Sequence, residues 1–249
     1  MTKPNTLASI LDWDSTHFGF VVARVTNEVL DPAEAGEIDA WAHAHQVRCL
    51  YFLCRADQIE SIRTAEQTGY RLVDIRMTYE QSLQKALPLP AVYTADIRPS
   101  RADEVSALED ITRTCQFETR FSVDPGFPPE RSRELYVTWV RKSCEGYAQQ
   151  VLVAHLNGQP AGYISCHLED DERRGSIGLV AVASQVQGRG IGKKLVMSAL
   201  RWFREQNAET VSVVTQGRNL ASQRLYQACG FLTRAVHLWY HKWYEVETL

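Results

Sequence analysis

The chain has 249 residues, a formal net charge of −3, 45% hydrophobic and 23% charged residues, which allows a sizeable core in one large domain or two small ones. That charge offers no electrostatic case for a nucleic-acid partner, and apolar runs such as 49–54 are too short to span a bilayer. Six cysteines without a C-x-x-C pair, and an N-terminus without the long apolar core of a secretory signal, point to a cytoplasmic, reducing setting.

Apolar periodicity predicts a strand over 19–26, a helix over 32–46, a strand over 47–54, a helix over 57–68 and a strand over 70–80. "KALPLPAVY" (85–93) interrupts any helix or central strand, because proline removes a donor and restricts its predecessor. It reads as a linker over 87–92 between domains at 1–86 and 93–249. Next come a strand over 93–100 and a helix starting at Ser100, with Asp103 in the capping-box position. "RFSVDPGFPP" (120–129) is rich in turn formers and reads as a loop. A helix over 129–144 carries Leu135, Trp139 and Val140 on one side. Asn157-Gly158 supplies the positive-φ turn of a hairpin. A strand over 174–184, a glycine-bearing loop, a helix over 191–206, a strand over 210–216, a helix over 219–229 and a strand over 231–243 complete the chain.

The segments 51–80 and 212–241 align without a gap, 161 positions apart. Ser61 falls on Ser222, Arg63 on Arg224, Gly69 on Gly230 and Tyr79 on Tyr240, with a matching apolar pattern. The alternative is the general likeness of any two strand-helix-strand units. As a repeat, the N-terminal part is a relic that lacks the glycine loop and has Ala65 where the other copy has Tyr226, so the chemistry belongs to the second half.

The loop itself, "VASQVQGRGIGKKLVM" (182–197), sets Gly188, Gly190 and Gly192 on alternate positions. Glycine costs backbone entropy unless something must come close to the main chain. The dinucleotide fingerprint fails, since the third glycine would fall on Lys193, and so does the P-loop, where Gln187 replaces the first glycine. Q-x-x-G-x-G, met by Gln187, Gly190 and Gly192, resembles the acyl-coenzyme A loop of the GNAT superfamily of N-acetyltransferases. The physics is that of an anion at a helix N-terminus, where unpaired N–H groups and the helix dipole meet a pyrophosphate. "RNLASQRLYQACGF" (218–231) is similar to the second signature of that family, through Asn219, Ser222, Tyr226, Gly230 and Phe231, and the element order over 92–249 follows the same course. A structural turn before a helix is the competing reading of the loop.

This resemblance implies an α/β (α+β) fold: a mixed, mostly antiparallel twisted sheet flanked by helices, preceded by a smaller degenerate GNAT-like domain. It also implies acetyl-CoA as co-substrate and no metal. The cofactor-binding residues would be Leu179, Val180, Ala181 and Val182 on the strand, Gln187, Gly188, Arg189, Gly190, Ile191, Gly192 and Lys193 in the loop, and Asn219, Ser222 and Tyr226 on the following helix. The strand would carry the oxyanion donor and pair with the pantetheine arm, although a buried sheet strand explains the same four residues. Tyr226 would be the general acid for the leaving thiolate, its phenol being protonated at neutral pH. A core aromatic is the plain alternative, and helix capping alone justifies Asn219.

Many relatives carry a Glu or Asp where this chain has Ser176, Ile177 and Gly178. His155, His167 and Glu118 lie on nearby segments, and none is assigned as the base. Arg120, Phe121 and Asp124 fall in the segment that borders the acceptor cleft in this family, and an arginine there suits a phosphate-bearing acceptor. "WAHAH" (41–45) is rejected as a metal site, because His43 and His45 face different sides of a helix. "LDWDSTHFGF", "RFSVDPGFP" and the two-part build narrow the resemblance to acetyltransferases of nucleotide-linked amino sugars, the dTDP-fucosamine type. The expected partner is a small-molecule amine, with no nucleic acid or membrane, and "HLWYHKWY" offers a strand for a homodimer. Another small amine, an amino acid or a protein amine is the alternative acceptor. A non-catalytic acyl-CoA-binding module is the alternative class.

Overall fold

The computed structural model describes residues 7–84, 97–115, 118–169 and 173–245, so the linker expected over 87–92 lies outside the described residues. In chain order the first elements are β1 (Ala8–Ile10), α1 (Asp12–Phe18), β2 (Val22–Val25), α2 (Pro32–Ala44), β3 (Cys49–Arg55), α3 (Ile59–Gln67) and β4 (Arg71–Ser82). β5 (Ile97–Pro99), α4 (Val105–Thr114), α5 (Arg120–Val123), α6 (Pro129–Lys142), β6 (Gln150–Leu156), β7 (Gln159–Leu168) and β8 (Arg174–Val182) follow. The last are α7 (Ile191–Glu205), β9 (Thr210–Gln216), α8 (Leu220–Ala228) and β10 (Leu232–Trp243). Among the described residues no helix is long and apolar enough to cross a membrane.

Contacts divide the chain into two units that interleave along the sequence. One holds Met1–Arg76, Glu118–Ser132 and Ala235–Leu249, the other Met77–Phe117 and Arg133–Arg234. The segments at 118–132 and 235–249 therefore group with the N-terminal part rather than with the rest of 93–249. The strands of the first unit stand in the order β1-β2-β3-β10-β4, those of the second in the order β4-β9-β8-β7-β6-β5. β2–β3 and β8–β9 run parallel, while β1–β2, β3–β10, β5–β6, β6–β7 and β7–β8 are antiparallel. The result is the mixed, mostly antiparallel sheet with flanking helices that the sequence implies.

The internal repeat holds to the residue. β3, α3 and β4 start at 49, 59 and 71, while β9, α8 and β10 start at 210, 220 and 232, each 161 later and of equal length. Gly69 and Gly230 take the same left-handed conformation, φ +89 and +91. The two copies exchange their last strands. β10 pairs with β3 of the first copy, from His237↔Arg55 to Trp243↔Cys49. β4 lies beside β9 of the second copy, where the Leu83 N–H reaches the Glu209 carbonyl at 2.8 Å. The strand offered for a homodimer is thus an interior strand of this chain, with both edges already occupied.

Several local expectations shift. β1 and α1 occupy the opening stretch, before the first expected strand, and α5 adds one helical turn to the expected loop. The helix expected from Ser100 begins later, because the Ser100 N–H still bonds the Val151 carbonyl at 2.9 Å in the β5–β6 ladder. The capping carboxylate is Glu104 rather than Asp103, accepting from the Arg101 N–H at 2.9 Å.

Helical spacing of apolar residues explains the layers. In the first unit α2 and α3 cover one sheet face, with Ile38, Ala42 and Ala65 against Ala23, Leu50, Phe52 and Tyr240. In the second, α7 buries Leu195, Val196, Ala199 and Phe203 against Ile164, Ile177, Val211 and Val213. The opposite face is closed by Leu108 and Ile111 of α4 and Val140 of α6, over Val153, Tyr163 and Ala181. Gly175 lets β8 approach α7: a Cβ there would lie 2.4 Å from the ring of fully buried Phe203. Gly175→Ala is therefore expected to lower stability by about 1–3 kcal/mol, the usual cost of overpacking, as read by urea unfolding.

Candidate active site

β8 and β9 run in parallel register from Arg174↔Thr210 to Ile177↔Val213 and then part, although β8 continues to Val182 and β9 to Gln216. On its other side β8 stays with β7 as far as Val182↔Gly162. The main chain beyond Ile177 therefore presents one edge with no strand opposite it, and such groups need a partner. A bulge sits at the parting: Ser165 of β7 stands against both Gly178 and Leu179, between the Ile164↔Val180 and Cys166↔Ile177 pairs. Bulges add local twist and re-aim a strand. This one is pinned from within the sheet, where the Leu179 N–H donates to the Oγ of fully buried Ser165 at 2.8 Å. The Leu179 amide is thus already committed, whereas Val180, Ala181 and Val182 continue along the open edge. Val180 and Val182 pack on the α7 side, Leu179 and Ala181 on the α4 side.

The open edge leads straight into the glycine loop. Gly188 and Gly190 take φ +76 and +77, and a Cβ on either would meet nothing within 4 Å. They are needed for the left-handed backbone and leave open space above it. Gly192 differs: it lies in the first turn of α7, where a Cβ would come 3.3 Å from Leu225 of α8, so it serves helix packing. α7 has no side-chain cap, and its first internal bond is Lys194 N–H to Gly190 carbonyl at 3.1 Å. The N–H groups of Ile191, Gly192 and Lys193 thus have no helical acceptor, and Arg189 and Lys193 are exposed beside them. These groups suit a pyrophosphate. The side chain of Gln187 turns inward instead, donating from Nε2 to the Val182 carbonyl at 3.0 Å. It ties the loop to the end of β8.

On α8, Asn219 is the cap, with Oδ1 accepting from the Ser222 N–H at 3.1 Å. Tyr226 is 4% exposed, its ring 6.2 Å from Tyr79 and 5.8 Å from Phe231. Burial first, and the nearby Cys229 second, push its phenol above the ordinary value. Two residues here escaped the sequence reading. Tyr79, on the exchanged β4, donates to Gln223 Oε1 at 3.2 Å, and Gln223 Nε2 bonds the Gly217 carbonyl at 2.7 Å. Together they hold the turn that precedes α8. Tyr79 falls on Tyr240 in the repeat, yet only the strand exchange brings it here.

Of the three groups left open as bases, His167 alone adjoins the bulge. A Cβ at Gly178 would lie 2.5 Å from His167 Nε2 and 2.8 Å from Ser165 Oγ. The imidazole thus fills the space of the missing 178 side chain, near where related chains carry an acid. His167 Nε2 is 3.4 Å from Ser165 Oγ and its ring meets that of Tyr147 edge-on at 5.3 Å. Burial lowers its pKa, partly offset by the Tyr147 main chain. His155 belongs to a structural cluster, 2.7 Å from Glu104 Oε1 and 3.0 Å from Arg98. Glu118 is exposed and belongs to the first unit.

Arg120, Phe121 and Asp124 also lie in the first unit, while the loop and Tyr226 lie in the second. Phe121 is buried, and its ring packs on Phe18 and Phe127. Asp124 Oδ2 accepts from His241 Nδ1 at 2.6 Å and from Trp243 Nε1 at 3.0 Å, and Oδ1 accepts from the Gly126 N–H at 3.0 Å. Burial holds His241 near a pKa of about 4, so the ring is neutral and its Nε2 accepts from Arg120 at 3.1 Å.

A parted parallel pair, an uncapped glycine-led helix and a capped helix with a buried tyrosine are the features expected of an acyl-CoA-dependent acyltransferase. The model of the acetyltransferase (GNAT) family matches residues 107–231, and the chain belongs to that family: an N-acyltransferase with acetyl-CoA as co-substrate. It is similar to the dTDP-fucosamine acetyltransferase of Escherichia coli O6:H1, 25% identical over 93% of this chain and 96% of that one. It is also similar to the spore coat polysaccharide biosynthesis protein SpsD of Bacillus subtilis, 27% identical over 59% of this chain, where it spans only 50% of the relative. Among solved structures, a GCN5-related N-acetyltransferase from Sphaerobacter thermophilus superposes with a TM-score of 0.67 at 16% identity, over 95% of this chain and 76% of that one. A tandem GNAT protein from the clavulanic acid biosynthesis pathway gives 0.60 at 15% identity, over 91% and 76%.

If the loop amides grip the diphosphate, Gly190→Val should weaken coenzyme A binding about tenfold, since a β-branched residue pays roughly 1–2 kcal/mol for the left-handed backbone. Calorimetric titration reads this; unchanged affinity with an intact circular dichroism spectrum places the grip elsewhere.

Proposed function

We propose that the protein transfers an acetyl group from acetyl-CoA to the primary amine of a nucleotide-linked amino sugar of the dTDP type. The observation that carries the acyl-transfer part is the edge of β8 beyond Ile177, which runs without a strand partner into the bare N-terminus of α7. One continuous track of main-chain donors and acceptors can then hold an amide-bearing arm along Val180–Val182 and a diphosphate at Gly188–Lys193. A free N–H on that edge supplies the oxyanion donor. Support for the acceptor class comes from the E. coli relative, which covers nearly the whole chain, and from Arg120, a residue suited to a phosphate.

Tyr226 serves as general acid. Burial keeps its phenol protonated at neutral pH, so it can give a proton to the departing thiolate. On the amine side, His167 takes the place of the missing carboxylate: it is neutral at pH 7 and sits at the bulge. We also read 1–86 as a degenerate copy of the catalytic domain at 93–249, supported by the coincident bounds of the repeat and by Ala65 standing where the other copy has Tyr226.

The experiment is thiol release from acetyl-CoA with a dTDP-linked amino sugar, against a panel of amino acids, polyamines and peptides. Turnover confined to the sugar nucleotide is the expected result. Turnover with another amine changes the acceptor, and coenzyme A binding without any turnover favours a binding module. Tyr226→Phe should lower kcat about 10²–10⁴-fold, the usual worth of general acid–base catalysis, with the KM for acetyl-CoA little changed. Full activity would remove Tyr226 from the mechanism. For His167 the neutral form is the competent one and its pKa lies below the ordinary value. The wild-type kcat/KM should therefore fall as pH drops through that lowered pKa, and His167→Gln should be slower and lose this acid limb. An unchanged limb would assign it to another group.

A further inference from the structure

We propose that the first unit binds the diphosphate group of a phosphorylated small molecule between the guanidinium groups of Arg24, Arg76 and Arg120. Register places Arg24 beside Tyr51, Tyr51 beside His241, and Leu53 beside Trp239. All lie on the sheet face opposite α2 and α3, whose face carries Ala23, Leu50, Phe52 and Tyr240.

On that face Arg120 is held by rings rather than by a carboxylate. Its guanidinium carbon is 4.1 Å from the Tyr51 and Phe121 centroids and 4.2 Å from Trp239. Its one hydrogen-bonded side chain among the described residues, His241, is neutral and passes its own N–H to Asp124, which the Trp243 and Gly126 N–H groups also saturate. Arg24 stands 5.4 Å over the same Trp239 ring. Arg76 comes from β4, next to β10, and its Nε is buried with no hydrogen-bond partner among the described residues.

None of the three has an ion-pair partner among the described residues. The nearby carboxylates do not supply one. Glu28 is half-exposed and 3.6 Å from His237, and Asp14, whose pKa burial raises and the Arg120 charge lowers, makes no ion pair with the three among the described residues. Burial and the charge of neighbouring arginines together lower the pKa of Arg24 and Arg76. Three planar donors, part-desolvated and mutually repelling, are matched by a ligand with several negative charges and forked acceptors. A carboxylate, with two oxygens, would leave a guanidinium unpaired; a diphosphate carries enough terminal oxygens and charge to meet all three. This anion site stands without the acetyl-transfer reading. Only its assignment to the diphosphate of a sugar-nucleotide acceptor, rather than to that of coenzyme A, rests on that reading.

The test is calorimetric titration of the full chain with inorganic pyrophosphate and with dTDP, each in the absence and presence of saturating coenzyme A. One-to-one binding of both, undisturbed by coenzyme A and weakened by added salt, is expected. Arg24→Gln and Arg76→Gln should each weaken pyrophosphate at least about tenfold, the scale of a lost charge-assisted hydrogen bond, and leave coenzyme A affinity unchanged. Absence of saturable heat at millimolar pyrophosphate and dTDP would overturn the site. Displacement of pyrophosphate by coenzyme A in the wild-type chain, a readout that does not depend on any variant folding, would overturn the assignment of the site to the acceptor. Pyrophosphate binding that responds to both substitutions in a protein that fails to bind coenzyme A would keep the anion site and remove the acetyl-transfer reading.

Discussion

Two parallel strands that begin in register and then separate leave a row of main-chain groups in need of partners, and the whole site is arranged around that need. Main-chain groups without a ladder partner must be met by water or by another group, so the gap beyond Ile177 and Val213 is where something extended can complete the ladder. The bulge at Gly178 and Leu179 creates the divergence, and the buried hydroxyl of Ser165 keeps it by taking the Leu179 amide. At the far end the chain turns through two left-handed glycines into a helix that no side chain caps. An arm with amides and a diphosphate satisfies both ends of the track at once. On the proposed reading the co-substrate lies along this track, and the backbone of Val180–Val182 counts for more than its side chains.

The strand exchange has a second consequence. Each copy of the strand-helix-strand repeat completes its sheet with the last strand of the other, so neither half of the sequence corresponds to one compact unit. Tyr79 reaches the turn before α8 only because β4 lies beside β9. The last strand of the copy without the glycine loop thus helps to hold the turn before α8. In the first unit the corresponding economy is different: His241, Asp124 and Trp243 on or beside the exchanged β10 hold Arg120 in place through a chain of hydrogen bonds. A neutral imidazole does this better than a charged one, because its bare Nε2 can accept from a guanidinium.

Much of the fold is legible in the amino-acid sequence alone. Alternation and helical periodicity locate β3, α3, β8, α7, β9, α8 and β10 to within a few residues, because each buries one face or both. Asn157-Gly158 marked a hairpin because only a few residues tolerate positive φ there. Gly188 and Gly190 marked a close-approach loop for the same reason. Elements whose cause is not local were misread: α1 is a short helix closed by left-handed Gly19, and the start of α4 is delayed by the pairing of Ser100 with Val151.

The sequence by itself determined the class of fold, the matching strand-helix-strand units and the left-handed glycine loop before α7, since each follows from spacing along one stretch of chain. Only the tertiary structure decided the exchange of strands, the parting of β8 from β9, the place of His167 in the space left by Gly178 and the meeting of Arg24 and Arg120 over Trp239. Those depend on which strands become neighbours, and neighbour choice between segments more than a hundred residues apart is set by the burial of whole faces, which no local pattern records.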